Sequence, residues 1–286
     1  MRVLVLGATG MLGTDLLQEW NRADPSGFGP DELVPAGSAD ADLRDAAQVD
    51  QLISRARPVW IVVCAAYADV DGCERNRELA FAVNATGVEN VARSAEKIGA
   101  RVFLVSTDYV FDGKGTRPYE ANDPMSPINA YGASKAAGEE ALRKYSSAWC
   151  IGRTSWLFGV HGPSFPEKIL KAAETRPELS VVNDQVGSPT YTRDLACAIR
   201  DLVRKDARGI VHLNNEGVCS WFHFAREILA QSGRGSVPVK PITTDQSARP
   251  APRPHYSVMS PSSLHAYGVH LRPWQEALTA FLKERP

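Results

Sequence analysis

The first twenty residues constrain the fold more than any later stretch. "RVLVL" is a short apolar run that stops at Gly7, and "GMLGTDLLQEW" follows with Leu12, Leu16, Leu17 and Trp20 at helical spacing. An unbroken apolar run of β-branched residues and Leu reads as a strand buried on both faces. An amphipathic helix directly after it must fold back onto the sheet to cover its apolar stripe. The same rhythm continues. "ELVPAG", "PVWIVVCAA", "RVFLVST" and part of "SAWCIGRTSWLFG" read as further strands. "DAAQVDQLISRA", the long "NRELAFAVNATGVENVARSAEKIG" and "NAYGASKAAGEEALRKY" read as the helices between them, the last capped by Asn129. Strand and helix in strict alternation predict an α/β fold, a doubly wound parallel sheet of the Rossmann type, with right-handed crossovers. We place this unit at residues 1–158. Beyond it the rhythm loosens, with helices near 165–175, 193–204, 221–232 and 274–284. Residues 159–286 are expected mainly to form a smaller lobe roofing the carboxyl ends of the strands, with some segments returning to the sheet.

The turn between the first strand and helix is "LGATGMLG", with Gly7, Gly10 and Gly13 three apart. A tight turn needs a residue without Cβ, a pyrophosphate needs close backbone approach, and the helix must pack near the strand. The helix N-terminus then offers free N–H groups and a positive dipole end. The bland alternative is a tight turn that binds nothing; its place at the start of a strand–helix–strand unit favours dinucleotide binding. An acid closing the second strand would favour NAD, but in "LVPAGSADADLRD" Gly37 and Ser38 stand there. The cofactor is therefore NADPH or NADH, with NADPH slightly favoured. Asp42 and Leu43 come later and suit the adenine ring; otherwise Asp42 caps the next helix.

Tyr131 and Lys135 lie one helical turn apart and share a face. A tyrosine is a poor base near neutrality, and an ammonium beside it lowers its pKa. The pair is thus a sensible acid/base unit, with Thr107 at the end of the fourth strand placed to bond a carbonyl oxygen.

Composition excludes other classes. A net charge of -1 gives no general case for nucleic acid or an acidic membrane. Cys64, Cys73, Cys150, Cys197 and Cys219 are scattered, which reads as reduced thiols of a cytoplasmic protein. The apolar start is too short and too glycine-rich for a signal peptide or a membrane span. His161, His212, His223, His255, His265 and His270 are dispersed, so no metal site is expected. "DQSARPAPRPHYS" reads as a surface loop.

Four stretches together carry a resemblance: "GATGMLG", "VCAAYADVDGCE", "STDYVFDG" with "PINAYGASKAAGE", and "RTSWLFG" with "VVNDQVGSPTYTRDLA". The chain resembles the extended short-chain dehydrogenase/reductases, and among them the dTDP-4-dehydrorhamnose reductases. The resemblance implies a soluble reductase acting on a dTDP-4-keto-6-deoxy sugar, with Tyr131 as proton donor, Lys135 supporting it and also holding a cofactor ribose, and Thr107 tuning it. Gly10, Met11 and Leu12 would line the pyrophosphate, and Ala65, Ala66 and Tyr67 would flank the cofactor. Thr107, Asp108, Trp156 and Gln185 would touch the nucleotide-sugar, Trp156 being otherwise a core aromatic. Asn84 would serve the cofactor side or cap a helical turn. The resemblance also admits a homodimer, though no stretch reads as an interface. Two departures stand out: Val63-Cys64 where the family often has Asn, and "AGS" where an acid is informative. The same superfamily includes a non-catalytic regulatory subunit, the β subunit of methionine adenosyltransferase, which keeps fold and nucleotide binding.

Overall fold

The computed structural model describes residues 1–20, 22 and 31–285. In chain order, β1 (Arg2–Leu6), α1 (Met11–Trp20), β2 (Glu32–Ala36), α2 (Ala46–Ala56) and β3 (Trp60–Val63) open the fold. Next come α3 (Val70–Arg75), α4 (Arg77–Phe81), α5 (Gly87–Ile98), β4 (Arg101–Thr107), α6 (Ala130–Tyr145) and β5 (Trp149–Thr154). The remainder comprises β6 (Leu157–Phe158), α7 (Phe165–Thr175), β7 (Leu179–Val182), β8 (Val186–Gly187), β9 (Thr190–Tyr191) and α8 (Thr192–Arg204). It ends with β10 (Gly209–His212), β11 (Cys219–Ser220), α9 (Trp221–Gln231), β12 (Val239–Ile242), α10 (Thr244–Ser247), α11 (Ser262–His265) and α12 (Trp274–Glu284).

Six strands form one parallel sheet in the order β10-β5-β4-β3-β1-β2. Successive residues of β1 serve opposite faces, as the pleat requires. Val3 and Val5 join Leu16, Trp20, Leu195, Ile199 and Leu202 beneath α1 and α8. Leu4 and Leu6 join Val49, Ile53, Val91 and Ala95 beneath α2 and α5. The doubly wound sheet is thus covered on both sides. Each fully buried aliphatic side chain contributes roughly 1.5–3 kcal/mol by leaving water.

The chain order reverses between β1 and β3, which lie side by side with successive segments leading away in opposite directions. Helices leave from one strand to each side, so a crevice opens there at the carboxyl ends. Phe158, Tyr191, Phe224, Trp274 and Phe281 centre a separate aromatic core under α7, α9 and α12. Between these units α8 packs with α1, and β10 adds to the sheet beside β5.

Two details differ from the sequence reading. The long helix predicted from "NRELAF" is continuous in direction but widens to a π-helical turn over Ala82–Thr86 between α4 and α5. That turn carries Asn84, and such bulges often mark functional positions. The supposed surface loop near 245–257 contains α10 and then runs inward: Ala251 and Ser257 are buried.

Glycine is obligatory at Gly13. A Cβ there would fall well inside contact distance of the Gly7 carbonyl oxygen and press on the Ala8 backbone. Gly13→Ala is therefore expected to destabilise the chain by about 1–3 kcal/mol, read as a lower urea midpoint. An unchanged midpoint would mean that α1 does not dock this closely.

Candidate active site

The crevice begins where β1 ends. Gly7 has φ +84, and a Cβ on it would sit 2.6 Å from the Ala65 amide nitrogen. Lacking one, it lets the ends of β1 and β3 touch, and Ala65 N donates to Leu6 O at 3.0 Å. Gly10 differs: its Cβ direction is clear to 3.4 Å, and it faces a cavity of about 620 Å³. The first N–H groups of α1, on Met11, Leu12 and Gly13, have no partner one turn back and point the helix's positive end at this space. The Leu12 side chain is buried in the core and Met11 lies against Gly159 and Gly162, so both would serve a ligand through the backbone. The cradle fits a pyrophosphate.

The far end of the cavity is lined by Gly37, Ser38, Asp42, Leu43 and Arg44, and its near wall by Ala65 and Ala66. The cap of α2 is Asp45, whose carboxylate accepts from Ala47 N and Gln48 N. Asp42 is thus left to the cavity, where it accepts from Arg44 Nε at 2.9 Å. The Arg44 guanidinium, with help from its amide, holds Asp42 down at about 2. Arg44 is a cation at the far end of the cavity, which the sequence reading passed over.

The reactive group lies beyond Ala66. Tyr67 and Tyr131 pack in one small cluster with Cys73, Ala80 and Ala130. Asn84 ties this end of β3 to α6: it accepts from Tyr67 N at 2.8 Å and donates to Tyr67 O at 3.0 Å and to Ser134 Oγ at 2.9 Å. Each bond contributes about 1 kcal/mol. Asn84 therefore positions Tyr67 and the Tyr131 helix; the cavity wall beside it is Val83. Asn129 caps α6 by accepting from Gly132 N, which fixes where Tyr131 begins the first turn.

Thr107 lies beside Tyr131, donates to Asp108 Oδ1 at 2.9 Å and accepts from Tyr109 N at 3.2 Å. Tyr109 meets the Tyr131 ring edge-on at 5.6 Å. Lys135 is buried and donates to Val105 O at 2.7 Å. Beneath it Glu139, fully buried, accepts from Ser106 Oγ and from both Nε and Nη2 of Arg153. This bidentate pair neutralises two charges that would be costly alone.

The electrostatics correct one expectation. Lys135 was expected to lower the Tyr131 pKa. Instead burial raises the phenol above its ordinary value, the Thr107 hydroxyl opposes that, and the Asp108 carboxylate adds to it. Burial also pulls Lys135 down to about 8, against the attraction of Glu139. Tyr131 is a neutral acid here, with a proton to give. Burial pushes the Asp108 carboxyl up to about 6, while hydrogen bonds from Ser257 and Thr107 hold it back.

The lobe closes the far side. Trp156 adopts φ +47, rare for a bulky residue. It stacks on Trp221 with ring centroids 3.6 Å apart, and a Cβ on Gly187 would come within 2.6 Å of its ring. Gln185 is buried and donates to Thr244 Oγ1 at 3.0 Å. The segment after α10 is strapped across by Asp71, which accepts from Arg253 Nη1 at 2.7 Å and Ala251 N at 3.2 Å. Burial raises the Tyr109 phenol above its ordinary value, and the nearby Arg253 guanidinium opposes that. Sequence reasoning missed Glu139, Trp221 and Arg253. Only Glu139 had a signal, one turn beyond Lys135.

Asp108 supplies a pH test. Its folded pKa lies above the unfolded one, so its charge costs stability fully above about pH 6, and the cost fades as pH falls through 4. Asp108→Asn is expected to stabilise the chain at pH 8, by up to about 3 kcal/mol, and much less at pH 4. Equal urea midpoints for the two proteins at pH 8 would contradict this.

The chain is similar to known proteins over almost its whole length. The chain is 40% identical over 284 residues to the spore coat polysaccharide biosynthesis protein SpsK of Bacillus subtilis (strain 168), covering 99% of this chain and 98% of that one. It is 39% identical to the dTDP-4-dehydrorhamnose reductase of Mycobacterium tuberculosis, covering 98% and 92%. A crystal structure of dTDP-4-dehydrorhamnose reductase from Bacillus anthracis in complex with NADP superposes with a TM-score of 0.93, at 37% identity and 99% coverage of both chains. The model of the RmlD substrate binding domain family matches residues 1–285, sheet and lobe together, and the chain belongs to that family.

Proposed function

We propose that this chain reduces the C4 ketone of dTDP-4-dehydro-L-rhamnose to dTDP-L-rhamnose, using NADPH or NADH. The observation that carries the reading is Tyr131 set beside Thr107, with buried Lys135 one helical turn on, next to a cavity whose glycine-lined end suits a dinucleotide. Relatives of almost equal length named for this reaction support the substrate.

When bound, the nicotinamide supplies the hydride. Thr107, turning its one hydroxyl proton from Asp108 to the sugar, holds the carbonyl oxygen, and Tyr131 donates its proton to the alkoxide as it forms. The burial that raises the Tyr131 pKa also makes each dipole around the oxygen more effective. Lys135 anchors the cofactor ribose, and its charge stabilises the phenolate that proton transfer leaves behind. Backbone amides of Met11, Leu12 and Gly13, approached over the bare Gly10, hold the pyrophosphate, with Asp42 and Leu43 at the adenine. Ala65, Ala66 and Tyr67 flank the cofactor along β3. Asp108, Trp156 and Gln185 form the sugar-nucleotide wall, and the chain divides into a dinucleotide unit, residues 1–158, and a lobe drawn mainly from 159–286. Arg44 supports NADPH as the preferred cofactor, since a 2′-phosphate would give its guanidinium an anion stronger than Asp42.

Tyr131→Phe should lower turnover by about 100-fold or more with KM little changed, because the proton is transferred only in the transition state. Loss of NADPH absorbance with enzymatically generated dTDP-4-dehydrorhamnose measures this, and full turnover in the mutant would remove Tyr131 from its role. Conversion of only another dTDP- or UDP-4-keto sugar would change the substrate. Cofactor binding without reduction of any such sugar would favour a regulatory subunit. Separately, Arg44→Ala should weaken NADPH about 10-fold more than NADH, the equivalent of one charge-assisted hydrogen bond, followed by nicotinamide fluorescence. Equal losses would assign Arg44 to the adenine alone.

A further inference from the structure

The six histidines look dispersed in sequence, yet the fold gathers two of them beside an acid. His265 closes α11, His270 lies in the segment leading to α12, and Glu216 follows β10. One ligand atom from each lies within 4.8 Å of the other two. The His265 and His270 rings are 4.3 Å apart. His265 Nε2 is 3.6 Å from Glu216 Oε1, buried, and without a hydrogen-bond partner among the described residues.

We propose that Glu216, His265 and His270 form a structural site for a divalent cation of the zinc class. Ligand atoms around tetrahedral zinc sit about 3.4 Å apart, close to the His265–Glu216 spacing already present. His270 is exposed on a connecting segment, so it can close the remaining gap. Two imidazoles and one carboxylate suit zinc and its neighbours and are poor ligands for magnesium or calcium. A plain ion pair explains the group less well: it would employ one imidazole and leave the second stacked against a cation. The nearest arginine in sequence, Arg272, is turned to Asp194 at 2.6 Å and does not take Glu216.

The position gives the site its role. Glu216 N donates to Arg272 O, and Trp274 N donates to Glu216 O, so this loop already meets the start of α12. The next residue, Gly217, accepts from Ser188 Oγ at 2.8 Å, beside the Gly187 turn that supports Trp156. A cation bound here braces the sheet edge, the last helix and the lobe wall together, with water as its fourth ligand.

The test uses the full chain without an affinity tag, stripped by chelator and titrated calorimetrically with Zn²⁺. One equivalent should bind, and the Co²⁺ form should show the visible absorption of a four-coordinate centre. His265→Ala, His270→Ala and Glu216→Gln should each weaken binding by at least about 10-fold, since even changes outside the coordinating atoms cost about 10–100-fold. Zn²⁺ should raise the Tm of the wild type and not of His270→Ala, an exposed position whose circular dichroism should match the wild type. Absence of binding, or binding that His270→Ala leaves intact, overturns the site. Binding with no rise in Tm overturns the bracing role.

Discussion

The close approach of β1 and β3 is the constraint on which the rest depends. Gly7 meets the Ala65 backbone at a distance that a side chain would forbid, and Gly13 lets α1 settle against the same turn. These two contacts fix the axis of α1, aim its free amides into the crevice, and set Ala66 and Tyr67 on the path towards Tyr131. From there Asn84 carries the alignment to α6 through Ser134. The glycine turn and Tyr131 are thus registered to each other through a few short contacts.

Charge is arranged around the reactive tyrosine in layers. Thr107 and the Tyr109 ring adjoin it, with the Asp108 carboxyl bonded to Thr107. Below lies Lys135, then the Glu139–Arg153 pair, all out of water. Buried charge is tolerated because each member finds an opposite partner or a carbonyl dipole, as Lys135 finds Val105 O. The phenol of the free protein is neutral, as an ordinary tyrosine is near pH 7, and burial with the Asp108 charge makes it harder still to ionise. An approaching ligand needs to move no proton before the reaction begins.

Much of this was legible in the sequence, and the reason is local. Strand and helix periods, the glycine turn, the Asn129 cap and the Tyr131–Lys135 spacing are all written within one or two turns of chain. What escaped reading is written across the fold. The Glu139–Arg153 pair joins a helix to a strand, Trp221 reaches Trp156 from another element, and Glu216 meets His265 only after β10 has joined the sheet. Composition misled at "RPAPRP": proline and arginine suggested a solvated loop, whereas Asp71 draws Arg253 inward. The widening at Asn84 was hidden because apolar periodicity runs through it unchanged. Asp42 was ambiguous until Asp45 took the cap.

The late arrival of β10 bears on how such a chain is made. Its partner β5 is finished at Thr154, while β10 begins only at Gly209. A ribosome emitting about 5–20 residues each second therefore leaves one side of a nearly complete parallel sheet unpaired for several seconds. The strap that Asp71 receives from Arg253 comes later still, 182 residues along the chain. An open strand edge of apolar residues invites pairing with other chains. During biosynthesis the nascent sheet is most exposed to misassembly in that interval, when its first five strands are already in place and its closing strand is still unmade.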